Sequence, residues 1–227
     1  MREKLVIWGA GSTAMIVADI IRLRDQYEIA GFLDNVNLER AQTRFCGASI
    51  LGGEEQLDSL LQQGVNHVIC AITSCRVRLQ LAKLARAKGF QLATAIHPQT
   101  IIASDVAIGA GTIVFAGAVV NPGSSLGDNV VIATCASVDH ENTIADGAWI
   151  NAGVHLGGRV IVEQAATVEI GAIVAGRLRI GADSVVGAGS LVLHDIPSGV
   201  LAYGRPAKVI REISGSSAAT IGDVHEQ

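Results

Sequence analysis

Residues 112–132, TIVFAGAVVNPGSSLGDNVVI, carry an aliphatic side chain at every sixth position. The same spacing runs unbroken over sixteen positions, from Ile102 to Val192. A period of six is neither the 3.6 of an α-helix nor the 2.0 of an ordinary strand. A chain that turns a corner every six residues, and returns above itself after three corners, buries such a column inside a solenoid. The sequence therefore predicts a parallel β-helix in the second half of the chain.

This spacing resembles the hexapeptide repeat of left-handed β-helix acyltransferases, over residues 98 to about 211. The resemblance implies a triangular prism of three flat sheets, with about eighteen residues in each coil. The left hand of the winding comes from the resemblance, because right-handed crossovers are the general rule. The resemblance also implies a homotrimer whose active sites lie in clefts between neighbouring prisms.

The composition suits such a fold and argues against one class of partner. The 227 residues are 49% hydrophobic but only 4% aromatic, and narrow, uniform side chains fit a thin solenoid core. The length allows one large or two modest domains. The net charge of −4 gives no electrostatic basis for binding nucleic acid.

Residues 106–127 contain no charged side chain and are long enough to span a bilayer. The segment stays in phase with the repeats on both sides, so we expect no membrane insertion. The first residues, MREKLVIWGAG, lack the apolar core of a signal peptide. The four cysteines have neither metal-ligand nor disulfide-framework spacing. These features together predict a cytoplasmic protein without a metal.

Residues 1–97 form a first domain in which strands alternate with helices. Strands are predicted at residues 4–8, 29–33, 67–72 and 91–96, and helices at 15–24, 53–63 and 77–88. This alternation indicates a parallel sheet in a small Rossmann-like domain. The β-helix domain then occupies residues 98–213, and the polar residues 214–227 are predicted to form a disordered tail.

A glycine turn, Gly9-x-Gly11-x-x-Ala14, joins the first predicted strand to the first predicted helix, and Asp34 follows about twenty residues later. Free N–H groups at a helix amino terminus favour phosphate. The turn therefore favours a nucleotide site, although a purely structural strand-to-helix turn has the same pattern.

Together the two halves resemble the sugar O-acyltransferase family, which includes sialic acid O-acetyltransferases and N-acetyltransferases of nucleotide-linked 4-amino sugars. The resemblance covers nearly everything before Ser214. It implies that the first domain holds a sugar nucleotide and that the β-helix holds acetyl-CoA. The residues that it places around the nucleotide are Gly9, Gly11, Ser12, Thr13, Asp34, Asn35 and Thr73.

Two segments near the nucleotide depart from the family pattern. The family's first turn usually reads Gly-Ala-Gly-Gly-His, whereas this chain has Ser12 and Thr13 at the last two positions. After the third strand the family often has Ile-Gly-Asn/Asp-Asn, whereas this chain has Ile72-Thr73-Ser74-Cys75. Both departures bear on the identity of the acceptor rather than on the fold.

His140 is the candidate general base. It follows the inward-pointing Val138 and lies between Asp139 and Glu141. A neighbouring carboxylate raises the basicity of an imidazole and fixes its tautomer. Family members carry a Glu-His pair where this chain has Asp139-His140, so the resemblance assigns His140 as the base and Asp139 as its orienting carboxylate. His155 is a second candidate.

The resemblance also gives a set of residues for acetyl-CoA. Trp149 occupies a position that is commonly a histidine in the family, and an indole can pack on the pantetheine or donate its N–H. The Gly-x-Pro-Ala-Lys segment after the last coil is typical of hexapeptide acyltransferases and supplies two cations. The full set is Trp149, Gly158, Ile170, Ala188, Arg205 and Lys208.

The sequence thus predicts an acetyl-CoA-dependent acetyltransferase acting on a nucleotide-linked amino sugar or a related glycan precursor. The acceptor would attack the thioester directly, without an acyl-enzyme. One alternative is a non-catalytic trimeric scaffold or a nucleotide-sensing binding protein. Another is a β-helix carbonic anhydrase, which needs three histidines around zinc. The distance of fifteen residues between His140 and His155 does not favour it.

Overall fold

The computed structural model describes residues 2–213, so the tail predicted for residues 214–227 lies outside the described residues. The strands of the first domain are β1 (Glu3–Trp8), β2 (Tyr27–Leu33), β3 (Arg44–Phe45), β4 (Ala48–Gly52), β5 (Val65–Cys70) and β6 (Gln91–Leu92). They form a six-stranded sheet in the order β3-β4-β2-β1-β5-β6, parallel except for the β3–β4 pair. Its helices are α1 (Ser12–Arg24), α2 (Leu57–Gln62) and α3 (Cys75–Lys88), with 3₁₀ turns at Leu38–Arg40 and Glu54–Gln56.

The order of the strands reverses at β1, because β2 pairs with one of its edges and β5 with the other. In open parallel sheets, ligands bind beyond the carboxyl ends of the strands at such a reversal. The loops that follow β1 and β5 contain Gly11 and Thr73. The fold therefore places both residues at the edge where a nucleotide binds in this class of sheet.

The second domain is a left-handed parallel β-helix of two-residue strands on three faces. The first face contains Ala95–Ile96, Ile113–Val114, Val131–Ile132, Trp149–Ile150, Thr167–Val168 and Val185–Val186, and ends in an antiparallel hairpin of Val200–Gly204 and Ala207–Glu212. The second face contains Ile101–Ile102, Val119–Val120, Ser137–Val138, His155–Leu156, Ile173–Val174 and Leu191–Val192. The third contains Ala107–Ile108, Ser125–Leu126, Thr143–Ile144, Ile161–Val162 and Arg179–Ile180.

The predicted column of sixteen aliphatic residues is confirmed. Fourteen of them, from Val114 to Val192, belong to one buried cluster, and Ile102 and Ile108 pack against it at the open end. The column begins one repeat earlier than predicted, because Ala95–Ile96 pairs with Ile113–Val114. The strand predicted at residues 91–96 is therefore two strands, and the β-helix begins at Ala95 rather than at residue 98.

The corners of the prism share one backbone conformation. Every sixth residue from Gly111 to Gly189 has a positive φ, between 54° and 77°, and half of these residues are not glycine. Positive φ is costly for residues that have a Cβ atom. Glu141 is one of them, with φ 56°, so the chain turns sharply away from the second face directly after His140.

The first domain lies on the first face of the prism, where helices α1 and α3 both contact the coils. Leu79 fits against Gly147, where an added Cβ would lie 2.6 Å from Leu79 Cδ1. Two ion pairs join the helix to the coils, Arg76 to Asp183 at 2.6 Å and Arg86 to Asp128 at 2.7 Å. In the described part of the chain, no helix is long and apolar enough to cross a membrane.

Candidate active site

His140 lies at the corner between the second and third faces, which we call the His140 corner. Its ring Nδ1 is 2.9 Å from Oε2 of Glu141, and both side chains are 51% exposed. When Nδ1–H donates to a carboxylate, Nε2 keeps its lone pair and can accept a proton. The pair therefore has the geometry of a general base held by its carboxylate.

The carboxylate at the ring is Glu141, which corrects the assignment of Asp139 as the orienting group. Oδ1 of Asp139 instead accepts from the backbone N–H of His140 at 2.8 Å and from Asn121 Nδ2 at 3.1 Å. These two hydrogen bonds, the first more strongly, lower the pKa of Asp139. Asp139 thus fixes the backbone of the corner, and the left-handed turn at Glu141 brings the other carboxylate to the ring.

Arg159 supports Glu141 from the next coil. Its Nε donates to the same Oε2 atom at 2.9 Å. The hydrogen bonds from Arg159 and then from His140 lower the pKa of Glu141, because both stabilise the ionised form of the carboxylate. Residues 141 and 159 occupy equivalent positions of successive coils, so the repeat itself creates this contact. Sequence reasoning missed Arg159, and the eighteen-residue separation was the available signal.

Gly158, predicted to line acetyl-CoA, lies directly against the His140 ring. A Cβ atom at this position would be 2.5 Å from Nε2 and 2.7 Å from Cε1. Because Gly158 has no side chain, the His140 ring can occupy this space. The structure brings Gly158 together with the candidate base.

Ile170 and Ala188 lie elsewhere, at the corner between the first and second faces, which we call the Ile170 corner. Ile170 is 57% exposed, and Ala188 is exposed at the equivalent position of the next coil. Arg205 reaches the same corner, where its Nη1 donates to the Gly189 carbonyl at 3.2 Å. Lys208 is exposed on the last strand. Within one chain, the second face separates these residues from His140.

Trp149 is not available to acetyl-CoA, and the structure corrects that assignment. The residue points outward from the first face, which the first domain covers, and it is only 6% exposed. Its ring lies 5.1 Å from the guanidinium carbon of Arg78 on helix α3. Trp149 is therefore part of the contact between the two domains. Its exposure depends on which face is covered, and the repeat pattern alone does not reveal that.

His155, the second candidate base, is exposed on the second face. Its Nδ1 is 2.7 Å from Ser137 Oγ, the equivalent residue of the preceding coil. Its hydrogen-bond partner is a hydroxyl group rather than a carboxylate. His155 therefore lacks the charged support that His140 has.

The glycine turn after β1 has two glycines with different duties. Gly9 has φ +127°, and a Cβ there would lie 2.6 Å from the Ala71 carbonyl oxygen. A Cβ on Gly11 would enter open space in front of helix α1. Ser12 is exposed at the start of this helix, and Thr13 is 8% exposed. Gly9 serves the close packing of the turn, whereas Gly11 faces the space expected for a ligand.

Asp34 is largely committed to its own loop. Its Oδ1 accepts from the backbone N–H groups of Val36 at 3.0 Å and Asn37 at 3.1 Å, and its Oδ2 pairs with Arg40 at 3.1 Å. Arg40 also donates to the carbonyl of Ala10 at 3.0 Å. The structure thus adds a cation that the sequence analysis did not identify.

The remaining predicted nucleotide residues share the same edge of the sheet. The side-chain oxygen of Asn35, beyond β2, accepts from Trp8 Nε1 at 2.9 Å. Thr73, beyond β5, has an exposed side chain. Its carbonyl accepts from Arg78 at 3.2 Å. All seven predicted positions lie beyond the carboxyl ends of β1, β2 and β5, five in the loops and two in the first turn of α1.

Two further observations concern metals and redox chemistry. Among residues 2–213, no group of three or more His, Cys, Asp or Glu side chains is arranged to hold a metal ion. The four cysteines are free thiols.

Comparison with known proteins identifies relatives for both domains. Residues 4–85 match the family model of the PglD N-terminal domain. PerB from Caulobacter crescentus, solved in complex with CoA and GDP-perosamine, is 34% identical with a TM-score of 0.87. That alignment covers 92% of this chain and 97% of PerB. The acetyltransferase domain of PglB from Neisseria gonorrhoeae, in complex with acetyl coenzyme A, is 33% identical with a TM-score of 0.86. That alignment covers 92% of this chain and 100% of the PglB domain.

Curated relatives match over shorter stretches. A galactoside O-acetyltransferase from Lactococcus lactis is 52% identical over 50 residues. This match covers 22% of the present chain and 24% of that relative. The chain therefore spans about a quarter of the length of this relative, whereas it matches PerB and the PglB domain along almost their whole length.

Proposed function

Because this chain belongs to the hexapeptide-repeat sugar acetyltransferase family, we propose that it transfers the acetyl group of acetyl-CoA to the amino nitrogen of a nucleotide-linked amino sugar. The observation that carries the proposal is the His140 ring, held by Glu141 at 2.9 Å and half exposed beside Gly158. PerB, which resembles this chain over both domains, binds CoA and a GDP-linked sugar.

In the proposed reaction the acceptor nitrogen attacks the thioester carbonyl directly. Nε2 of His140 accepts the proton that the nitrogen loses as the new C–N bond forms. The C–S bond then breaks, and the leaving thiolate of CoA takes this proton from His140, so that CoA leaves as the thiol and the ring is again neutral. Glu141 stabilises the positive charge that develops on the ring, because a carboxylate favours the charged form of a neighbouring imidazole. Arg159 and Asp139 keep Glu141 and the corner backbone in place.

The direct test is a steady-state assay with acetyl-CoA and a panel of nucleotide-linked amino sugars. We expect acetylation of the amine and initial-rate patterns of a sequential mechanism, because no acyl-enzyme is required. A ping-pong pattern would contradict direct attack. Acetylation of a hydroxyl group instead would correct the acceptor atom. Binding of the nucleotide sugar without any transfer would favour the alternative of a sensing protein.

We propose that the site is shared between subunits of a homotrimer. Within one chain the second face separates the His140 corner from the Ile170 corner, and this face exposes apolar side chains such as Ile101 (69%) and Ile173 (37%). A neighbouring prism docked along this face can bring its own Ile170 corner next to His140. We also propose a cytoplasmic location, which the free thiols and the expected use of acetyl-CoA support.

A charge in the second face tests the shared site. We expect Ile173→Glu to reduce the trimer to monomers in sedimentation and to abolish transfer with it, because burying an unpaired carboxylate is costly. Ile161→Glu on the third face, where the side chain is 36% exposed, is the matched control and should keep both the trimer and the activity. A fully active monomer would contradict both the trimer and the shared site.

The glycine turn tests which half binds the acceptor. We expect Gly11→Val to raise the KM for the nucleotide sugar by roughly tenfold or more, which corresponds to about 1.4 kcal/mol of lost binding. The KM for acetyl-CoA and the melting temperature should hardly change, because the new side chain enters open space. Gly9→Val is the contrasting variant. Its positive φ and the contact with Ala71 should destabilise the fold by about 2 kcal/mol or more. A Gly11→Val effect confined to acetyl-CoA would mean that the two domains have been assigned the wrong way round.

A further inference from the structure

Arg78 is a fully buried cation without a carboxylate partner. Its side chain is 0% exposed, and none of the ion pairs among residues 2–213 includes it. Burying a charge is costly unless hydrogen bonds or an opposite charge compensate for it. The guanidinium must therefore obtain its compensation from neutral groups.

Four backbone carbonyls and one aromatic ring surround the guanidinium. Nη1 donates to Ile72 at 2.8 Å and to Thr73 at 3.2 Å, in the loop after β5. Nε donates to Asn129 at 3.0 Å, and Nη2 donates to Gly147 at 2.7 Å. The ring of Trp149, 5.1 Å away, adds a cation–π contact.

These contacts belong to three different parts of the molecule. Arg78 itself lies on helix α3, and the loop after β5 carries Thr73 beside the proposed nucleotide position. Asn129 and Gly147 are equivalent left-handed residues, with φ 54° and 69°, at the corner between the third and first faces. One planar side chain thus joins the nucleotide loop to two successive coils of the prism. His140 lies in the coil that runs from residue 129 to residue 147.

We propose that Arg78 is a positioning residue for the transfer reaction, which sets the nucleotide loop relative to the β-helix so that the acceptor reaches the base. This inference rests on the proposed function. A guanidinium suits the role because its donors point in fixed directions in one plane, whereas a lysine ammonium cannot satisfy all four carbonyls or stack in the same way. In this arrangement the role of Trp149 is to stack on the Arg78 guanidinium rather than to bind acetyl-CoA.

The test compares Arg78→Lys and Arg78→Met with Arg86→Met. Arg86 is the matched control because it lies on the same helix and pairs with Asp128, next to Asn129, but is 48% exposed. None of its hydrogen bonds among the described residues reaches the loop after β5. In the folded full-length enzyme, we expect Arg78→Met to raise the acceptor KM about tenfold, a loss of about 1.4 kcal/mol in binding. Arg78→Lys should give an intermediate value, and the KM for acetyl-CoA should stay unchanged in both. Arg86→Met should leave both KM values unchanged.

A second measurement does not depend on activity. Hydrogen exchange of the Ala71 amide, which donates to the Trp8 carbonyl at 2.8 Å just before this loop, should accelerate in Arg78→Lys and stay unchanged in Arg86→Met, because the loop loses its anchor only in the first variant. If Arg78→Met does not fold, Arg78→Lys decides the question by both measurements. An unchanged acceptor KM with unchanged exchange in a folded Arg78 variant would overturn the positioning role. Faster exchange in an enzyme that acetylates no nucleotide sugar would overturn the proposed function and leave the anchoring intact.

Discussion

Replacing His140 by alanine should lower turnover by about 10²- to 10⁴-fold, the usual contribution of a general base. The ring is 51% exposed and bonds to Glu141, so its loss should change the melting temperature little. The KM for acetyl-CoA should also change little, since the ring acts on the acceptor's proton. Steady-state kinetics with both substrates, together with thermal melting, provide the measurement.

Two further variants make this prediction specific. Glu141→Gln keeps the shape of the side chain but removes its charge, so we expect a smaller loss than for His140→Ala. His155→Ala tests the second candidate base, and we expect turnover to stay within a factor of a few. If His140→Ala retained its activity and His155→Ala lost it, the base would have been misassigned.

Gly158→Ala should lower turnover by about 10²-fold, the cost of misplacing a catalytic group by roughly 1 Å. The new Cβ would lie 2.5 Å from His140 Nε2, so the ring must move. Because the ring is half exposed, it can move into solvent without a large loss of stability. The effect should therefore appear in turnover and not in the melting temperature.

A control glycine should show the opposite result. Gly64 precedes β5 at the end of the sheet opposite to the nucleotide loops, has φ +78°, and has no atom near its added Cβ. Gly64→Ala should cost about 1 kcal/mol of stability through its backbone conformation and leave turnover unchanged. If Gly158→Ala were fully active, the proximity of Gly158 to the ring would have no catalytic meaning.

Much of the fold was predictable because burial imposes a strict period. A residue that points into the thin prism must be aliphatic, so the column from Ile102 to Val192 appears directly in the sequence. The β1–α1 turn was predictable for a similar reason, since Gly9 has both a positive φ and a close backbone neighbour. The short hairpin of β3 and β4 was missed, because two- and five-residue strands carry little periodicity.

The candidate site was less predictable, because its contacts depend on corner geometry and on which face is covered. The sequence indicated a carboxylate next to His140 but not which one, and the left-handed conformation of Glu141 decides between the two neighbours. The repeat pattern does not indicate that Trp149 is covered by the first domain. Arg78 falls within the helix predicted at residues 77–88, and only the packing of α3 on the coils makes it a buried link between the two domains.

The coils of the prism are stacked at a regular spacing along its axis. Neighbouring coils are separated by the distance between paired strands, about 4.8 Å. Equivalent corner positions along the prism axis are therefore separated by whole multiples of this distance. His140 lies in the coil between Asn129 and Gly147, whose carbonyls both accept hydrogen bonds from Arg78. The distance between the nucleotide loop and His140 is therefore set by the coils to which Arg78 is bonded. We therefore expect that an enzyme of this architecture can move its base relative to the nucleotide loop along the prism axis only in steps of a whole coil, about 4.8 Å.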